Sequence, residues 1–284
     1  MTRVIDKLSI LIGVVLFSFI PIIVRFGSNI NLFQLSFFRT FISAMSLFIF
    51  FLISRNQRLR INKNILLLFL FGLFHAATIV TSFRAINTLT IALATVFLFA
   101  GNIYLYFFSF LFLKERFTIK SLITLTLSVV GLILICSKKE LITHASGFDY
   151  IIAVSSGIFM SLVFIYGKVL RKSYDENSLT FFQNLIASVI LIPAILIKPI
   201  NTSFQSINIY LLIGVICTAI PFVLLYKGMK SVQTNVLSVL MTLNIPLPII
   251  FGAIIFKEIP GLVEIIGIAI MIIATIIVST TNIS

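Results

Sequence analysis

From Leu8 to the C-terminal region the chain repeats one pattern, a long apolar run followed by a few polar residues and then another apolar run. About 20 apolar residues cross roughly 30 Å of hydrocarbon as a helix. Read this way, the pattern predicts spans near residues 8–27, 33–54, 64–84, 90–113, 118–137, 148–169, 178–198, 207–226, 233–256 and 260–280. In lipid, backbone groups are satisfied only within helices or a closed barrel, and these runs lack the strict alternation and turn punctuation of barrel strands. The expected fold is therefore an all-α integral membrane protein of about ten transmembrane helices. The connectors are short, and the longest, from Ser137 to Gly147, leaves no room for an extramembrane domain.

Composition strengthens this reading: 60% of residues are hydrophobic and 10% charged, with a mean hydropathy of +1.20. The net charge of +13 raises the question of nucleic acid. Lys and Arg, however, sit mostly in short connectors, and no soluble surface carries a basic patch with interleaved aromatics, so no nucleic-acid partner is expected. Their distribution orients the chain instead. With the N-terminus inside, Arg3, Lys7, Arg55 to Lys63, Lys114 to Lys120, Lys168 to Lys172 and Lys227 with Lys230 fall on the inner side, which places both termini in the cytoplasm by the positive-inside rule. The first run follows Arg3 and Lys7 as a signal peptide would, but it is long enough to span and has no small-residue cleavage site, so it is expected to be retained. Cys136 and Cys217 lie in apolar runs without metal-ligand spacing, which argues against a disulfide framework, a metal site or a cofactor.

An internal repeat organises the chain. At an offset of 143 residues, Phe83 to Glu115 overlays Tyr226 to Glu258 without a gap, pairing Arg84 with Lys227 and Lys114-Glu115 with Lys257-Glu258. The same offset pairs Ser18 with Ser161 and Arg25 with Lys168. Two units follow, residues 1–142 and 143–284. Because each has five spans, the second is expected to enter the membrane upside down, the inverted arrangement that suits alternating access.

Leu35 to Arg39, Phe83-Arg84-Ala85, Lys114-Glu115, Gly131, Tyr226-Lys227-Gly228, Pro246 and Lys257-Glu258 together resemble the EamA-type transporters of the drug/metabolite transporter superfamily, over nearly the whole chain. The resemblance implies a ten-helix carrier in the cytoplasmic (inner) membrane, monomeric or homodimeric, that exports or exchanges amino acids and related small metabolites. One departure is in the fourth span, where the family often has a proline and this chain has Gly101-Asn102.

Polar groups inside the bilayer are costly and mark candidate binding residues. Arg39, with Ser36 and Ser43 on its helical face, is expected to face a cavity. Arg25, with Ser18 and Pro21, and Lys168, with Ser161 and Phe164, occupy matched positions that suit either snorkelling or substrate contact. Asn102 shares a face with Thr95, Phe99 and Tyr106. Asn244 precedes Pro246 and Pro248, which free backbone carbonyls. His75, near Thr78, is a substrate ligand, a proton relay or a satisfied buried histidine, and Gln183 and Asn184 are placed opposite Arg39. Glu115 and Glu258 read as structural, capping a following helix or pairing with Lys114 and Lys257. No Asp or Glu falls in mid-span, which argues against a small-multidrug-type cation antiporter and for zwitterionic or anionic cargo met by Arg or Lys. An embedded enzyme would need a nucleophile with a base, a metal cluster or a carboxylate pair, none of which the sequence offers. A scaffold or sensor gives no reason for polar groups at matched depths.

Overall fold

The computed structural model of the chain describes residues 2–26, 30–54, 59, 64–89, 91–115, 119–135, 145–196, 200, 203–257 and 260–280. Every regular element among them is helical. In order they are α1 (Thr2–Phe17), α2 (Ile20–Phe26), α3 (Leu32–Ile53), α4 (Ile65–Thr88), α5 (Ile91–Leu113), α6 (Ile119–Ile135), α7 (Gly147–Leu170), α8 (Glu176–Ile190), α9 (Pro193–Leu196) and α10 (Phe204–Leu211). A π-helical segment (Leu212–Ala219) runs on into α11 (Ile220–Gly228). Then come α12 (Thr234–Met241), a 3-10 turn (Thr242–Asn244), α13 (Pro246–Phe256) and α14 (Leu262–Thr280). Among the described residues, seven helical stretches have the length and apolarity to cross a membrane, and Leu122–Ile135 and Leu262–Val278 are shorter apolar helices. The expected span at 178–198 forms as α8 followed by the single turn of α9, because Pro193 interrupts it.

The exterior is greasy and the interior partly polar. Phe48, Leu52, Leu66, Leu111, Phe112, Ile119, Ile254 and Leu262 project outward, while Ser18, Ser43, His75, Asn102, Gln183, Asn184 and Asn244 are buried. Water would penalise the apolar exterior, which a bilayer covers, while the polar groups inside are costly and mark candidate functional positions. Helix starts are fixed locally. Asn31 accepts from Phe33 N at 2.9 Å, and Ser146 with Asp149 forms a capping box at the start of α7, each supplying acceptors to otherwise unpaired amides.

Prolines set two helix breaks. Pro21 removes a helical N–H near Ser18 and Phe19, where α1 gives way to α2. Pro246 has no N–H for Thr242 O, so Ile245 N donates there instead at 3.1 Å and closes the 3-10 turn. The breaks meet: Ser18 Oγ lies 3.2 Å from Asn244 Oδ1. The fourth expected span has no such break, since α5 runs through Gly101-Asn102 uninterrupted. Lys114 (φ 55°) and Lys257 (φ 59°), 143 residues apart, are the non-glycine residues with positive φ among the described residues. Each turns the chain sharply at the end of an apolar helix.

Helices of the two sequence halves interleave: α1 packs along α11, α7 along α4 and α5, and α3 against both α8 and the π-helical segment. Two close approaches matter for the site. A Cβ on Gly101 would meet Gly157 O at 2.5 Å, and one on Gly157 would meet Phe97 O at 2.6 Å, so α5 and α7 touch backbone to backbone. A Cβ on Gly214 would meet Ile42 Cγ2 at 2.6 Å. Gly214→Ala is therefore expected to push the π-helical segment off α3 and destabilise the protein by about 1–3 kcal/mol. Thermal unfolding in detergent measures the loss, and adding Ile42→Ala is expected to recover only part of it, since the Cβ at 42 would still lie 2.7 Å away.

Candidate functional site

The π-helical geometry gives Thr218 an unusual role. Its hydroxyl donates to Ile213 O, five residues back, at 2.7 Å, which leaves its lone pairs to accept from Arg39 Nε at 3.1 Å. That bond holds the guanidinium across the α3 contact made possible by Gly214. Arg39 is half-buried on α3, packed against the π-helical segment. Its terminal nitrogens have no carboxylate partner among the described residues, and the titratable groups nearest it are Cys217 and His75.

Near Arg39, α4 and α8 contribute His75, Gln183 and Asn184. His75 is 2% exposed, stands edge-on to Phe222 at 5.1 Å between ring centroids, and lies beside Asn184 within electrostatic range of Arg39. Neither ring nitrogen makes a hydrogen bond of good geometry, and Asn184 Oδ1 has no partner either. Asn184 Nδ2 is spent on Thr180 O at 2.9 Å. Gln183 Oε1 accepts from the Tyr226 hydroxyl at 2.6 Å, while its Nε2 is buried without a partner. The phenol ring of Tyr226 stacks on Phe222 at 5.7 Å. Buried polar groups are nearly always paired, so His75, Gln183 and Asn184, with polar atoms left unpartnered near one guanidinium, mark the candidate polar site. The arrangement can grip a carboxylate or phosphate at the fork of Arg39 and offer further hydrogen bonds from Gln183, Asn184 and His75.

A second polar group lies beyond an aromatic cluster. Phe17 meets Phe222 edge-on at 5.0 Å, and the next residue, Ser18, contacts Asn244. Ser18 Oγ is also 2.8 Å from Val14 O. Turning the Asn244 amide over lets Nδ2 donate to Ser18 Oγ while that hydroxyl donates to Val14 O. Ser128 and Thr242 hydroxyls are 3.4 Å apart. Asn102 and Tyr106 are buried on α5, and Asn102 Nδ2 has no hydrogen-bond partner.

The remaining expected residues sit elsewhere. Lys168 Nζ donates to Met229 O at 2.5 Å and Val232 O at 2.6 Å, gripping the end of α11. Arg25 is exposed at the end of α2, 4.2 Å from the Phe256 ring centroid. Glu115 caps neither its following helix nor Lys114. Its carboxylate instead accepts from Thr234 N at 2.8 and 3.0 Å and from Asn235 N at 3.1 Å, at the start of α12. Pro246 opens α13, and Glu258 lies outside the described residues. Sequence reasoning did not reach Thr218, Cys217, Phe222 or Tyr226 as neighbours of Arg39. No composition signal announces a π-helical segment, and Tyr226 was legible only as a repeat marker.

A lipid-facing helical shell around buried, partly unpaired polar groups defines a multi-pass membrane protein of the transporter class. The sequence matches the EamA-like transporter family over residues 7–137 and again over 148–280, and the chain belongs to that family, within the drug/metabolite transporter superfamily. An uncharacterized transporter of Archaeoglobus fulgidus is 28% identical over 209 residues, covering 73% of this chain and 74% of that protein. An uncharacterized transporter of Helicobacter pylori is 31% identical over 96 residues, 34% of this chain and 32% of the relative. A solved crystal structure superposes with a TM-score of 0.83 at 15% identity, over 96% of this chain and 95% of that one, which shows the fold alone.

Proposed function

We propose that the protein is a secondary transporter that moves small zwitterionic or anionic metabolites, such as amino acids and related carboxylates, across the cytoplasmic membrane by alternating access, in export or exchange. The observation that carries this reading is Arg39, a guanidinium held by Thr218 with its outer fork free of acidic partners among the described residues, where helices of the two halves of the chain meet. Keeping an uncompensated cation at such depth costs roughly 2.5–3.5 kcal/mol, which a substrate anion offsets.

The reading includes ten crossings in two inverted five-helix units, residues 1–142 and 143–284, with both termini in the cytoplasm. Several features support it. The family match recurs in each half, and the two left-handed lysines are separated by the repeat offset. The packing of α1 on α11 is mirrored by that of α7 on α4. Rocking one unit against the other would then expose the Arg39 site to each side in turn.

The test is flux into liposomes containing the purified protein, using a panel of labelled amino acids, dicarboxylates and phosphorylated metabolites with organic cations as controls. Saturable uptake of carboxylate- or phosphate-bearing compounds is expected, together with exchange against the same compound loaded inside. Inactivity across the panel under both gradient directions would favour a scaffold, and conversion to a new chemical product would favour an enzyme.

A further inference from the structure

One helix, α11, links the Arg39 site to the stretch 229–235 that follows it. At the site its Phe222 carries the edge of His75, and one turn later the Tyr226 hydroxyl donates to Gln183. The backbone carbonyl of the same tyrosine accepts from Arg171 Nε at 2.9 Å. Arg171 in turn donates to Tyr174 O at 2.7 Å and pairs with Glu176, so it is fixed to the turn between α7 and α8. Just beyond, Lys168 holds the carbonyls of Met229 and Val232. Asp6 of α1 accepts from Ser231, and Glu115 at the end of α5 caps Thr234 and Asn235. The stretch 229–235 is thus gripped from α1, α5 and α7, with a cation on the carbonyl end of α11 and an anion on the amide end of α12, the signs that helix dipoles favour.

Resting on the transporter reading above, we propose that Tyr226 is a positioning residue that couples occupancy of the Arg39 site to release of the lock formed by Lys168, Arg171 and Glu115 on residues 229–235. Gln183 is the contact point. Its Nε2 is buried and unpaired, while its Oε1 holds the phenol. A substrate acceptor that draws the amide toward itself pulls on the Tyr226 hydroxyl. Since the Tyr226 carbonyl lies on the same rigid helix, α11 shifts against Arg171 and Lys168. Met229 is three residues on, a rise of about 4.5 Å, so a displacement at the ring reaches the lysine-held carbonyls within one turn. The repeat offset places Phe83 at the matching position of the first half, and phenylalanine has no hydroxyl to make such a link. The coupling therefore belongs to this end of the molecule alone, and Tyr226→Phe is a substitution the fold already accommodates in its other half.

Cys217 supplies a native probe, since it is buried beside Arg39. In a Cys136→Ser background it is the remaining cysteine, and its reaction with a membrane-impermeant maleimide, presented to the end carrying Lys168 and Arg171, reports opening of the lock without any substrate. Lys168→Met is expected to raise the labelling rate about 100-fold, the size of the two charge-assisted bonds lost. Tyr226→Phe is expected to raise it about fivefold, the size of one neutral hydrogen bond, with a cooperative thermal unfolding transition retained. A spin-label pair at Ser173 and Lys230 in cysteine-free protein should show the same change as a longer, broader distance distribution, also in any variant whose labelling is too slow to follow. If Lys168→Met opens the lock and Tyr226→Phe leaves both readouts at the parent values, the coupling is overturned. If neither variant changes them, the lock itself is overturned. Because neither readout uses a substrate, these failures are separate from failure of the flux assay.

Discussion

Arg39→Met is expected to lower the flux of carboxylate-bearing metabolites by about 100-fold or more, the equivalent of two charge-assisted hydrogen bonds of roughly 1.5 kcal/mol each. The same substitution is expected to make the protein more resistant to thermal unfolding. Arg39 is enclosed, its one hydrogen bond goes from Nε to Thr218, and no acid compensates its charge among the described residues. A methionine of similar reach fills the space without that liability. Replacing an enclosed charge by an apolar side chain typically stabilises by about 1–4 kcal/mol. The Thr218 hydroxyl keeps its bond to Ile213 O and is not stranded. Arg39→Lys should fall between the two, since it keeps the charge and loses the fork that grips a carboxylate at two points. Parallel flux and melting measurements decide the matter. A variant that loses stability along with activity would mark Arg39 as a structural tie, and the anion-binding reading would go with it.

The second large effect is expected at the contact between α5 and α7. Gly101→Ala or Gly157→Ala puts a methyl group 2.5–2.6 Å from a backbone carbonyl of the facing helix. Backbone cannot swing aside as a side chain does, so the two helices must separate along a line that joins the halves. Each methyl should cost about 3 kcal/mol or more, the upper part of the range for overpacking, and the double variant should fail to yield monodisperse protein in detergent. Gly261→Ala, whose Cβ would meet Glu264 Oε2 at an ordinary 3.7 Å, is the control expected to behave as the parent. Equal melting temperatures for all three single variants would show that the interface relaxes more freely than its geometry implies.

The sequence is informative about this protein where the physics is local or periodic. Long apolar runs demand helices in lipid, and α3, α4, α5 and α7 lie close to the expected boundaries. Prolines announced the break at Asn244, since a missing N–H is a property of the residue itself. Arg39 stood out as a buried cation because a charge one turn into an apolar helix is too costly to leave against lipid, and Gln183 falls opposite it only when the repeat is shifted by one further residue. What the sequence did not carry is the geometry that depends on contact between distant segments. Thr218 becomes the acceptor for Arg39 only because an extra residue is accommodated in the π-helical turn and Gly214 lets Ile42 come close. Glu115 looked like the cap of the next helix, but it serves α12, 119 residues later, because the left-handed turn at Lys114 directs the chain away from α5. Lys168 matched Arg25 in the alignment, yet the two are engaged differently, one on backbone carbonyls and the other against an aromatic ring. Equivalent positions in related halves need not sit in equivalent environments at one moment of a cycle.

The bond between Arg39 and Thr218 joins residues 179 apart in the chain. At a synthesis rate of about 5–20 residues per second, a ribosome needs roughly 10–40 s to make the second after the first. Throughout that interval the nascent third helix holds a guanidinium whose eventual neighbour has not yet been translated. The early segments must either wait near the insertion machinery or borrow water and lipid phosphate to shelter that charge. Quality-control proteases that patrol the bilayer thus have a window in which to remove chains truncated before Thr218, so premature termination should leave little stable fragment behind.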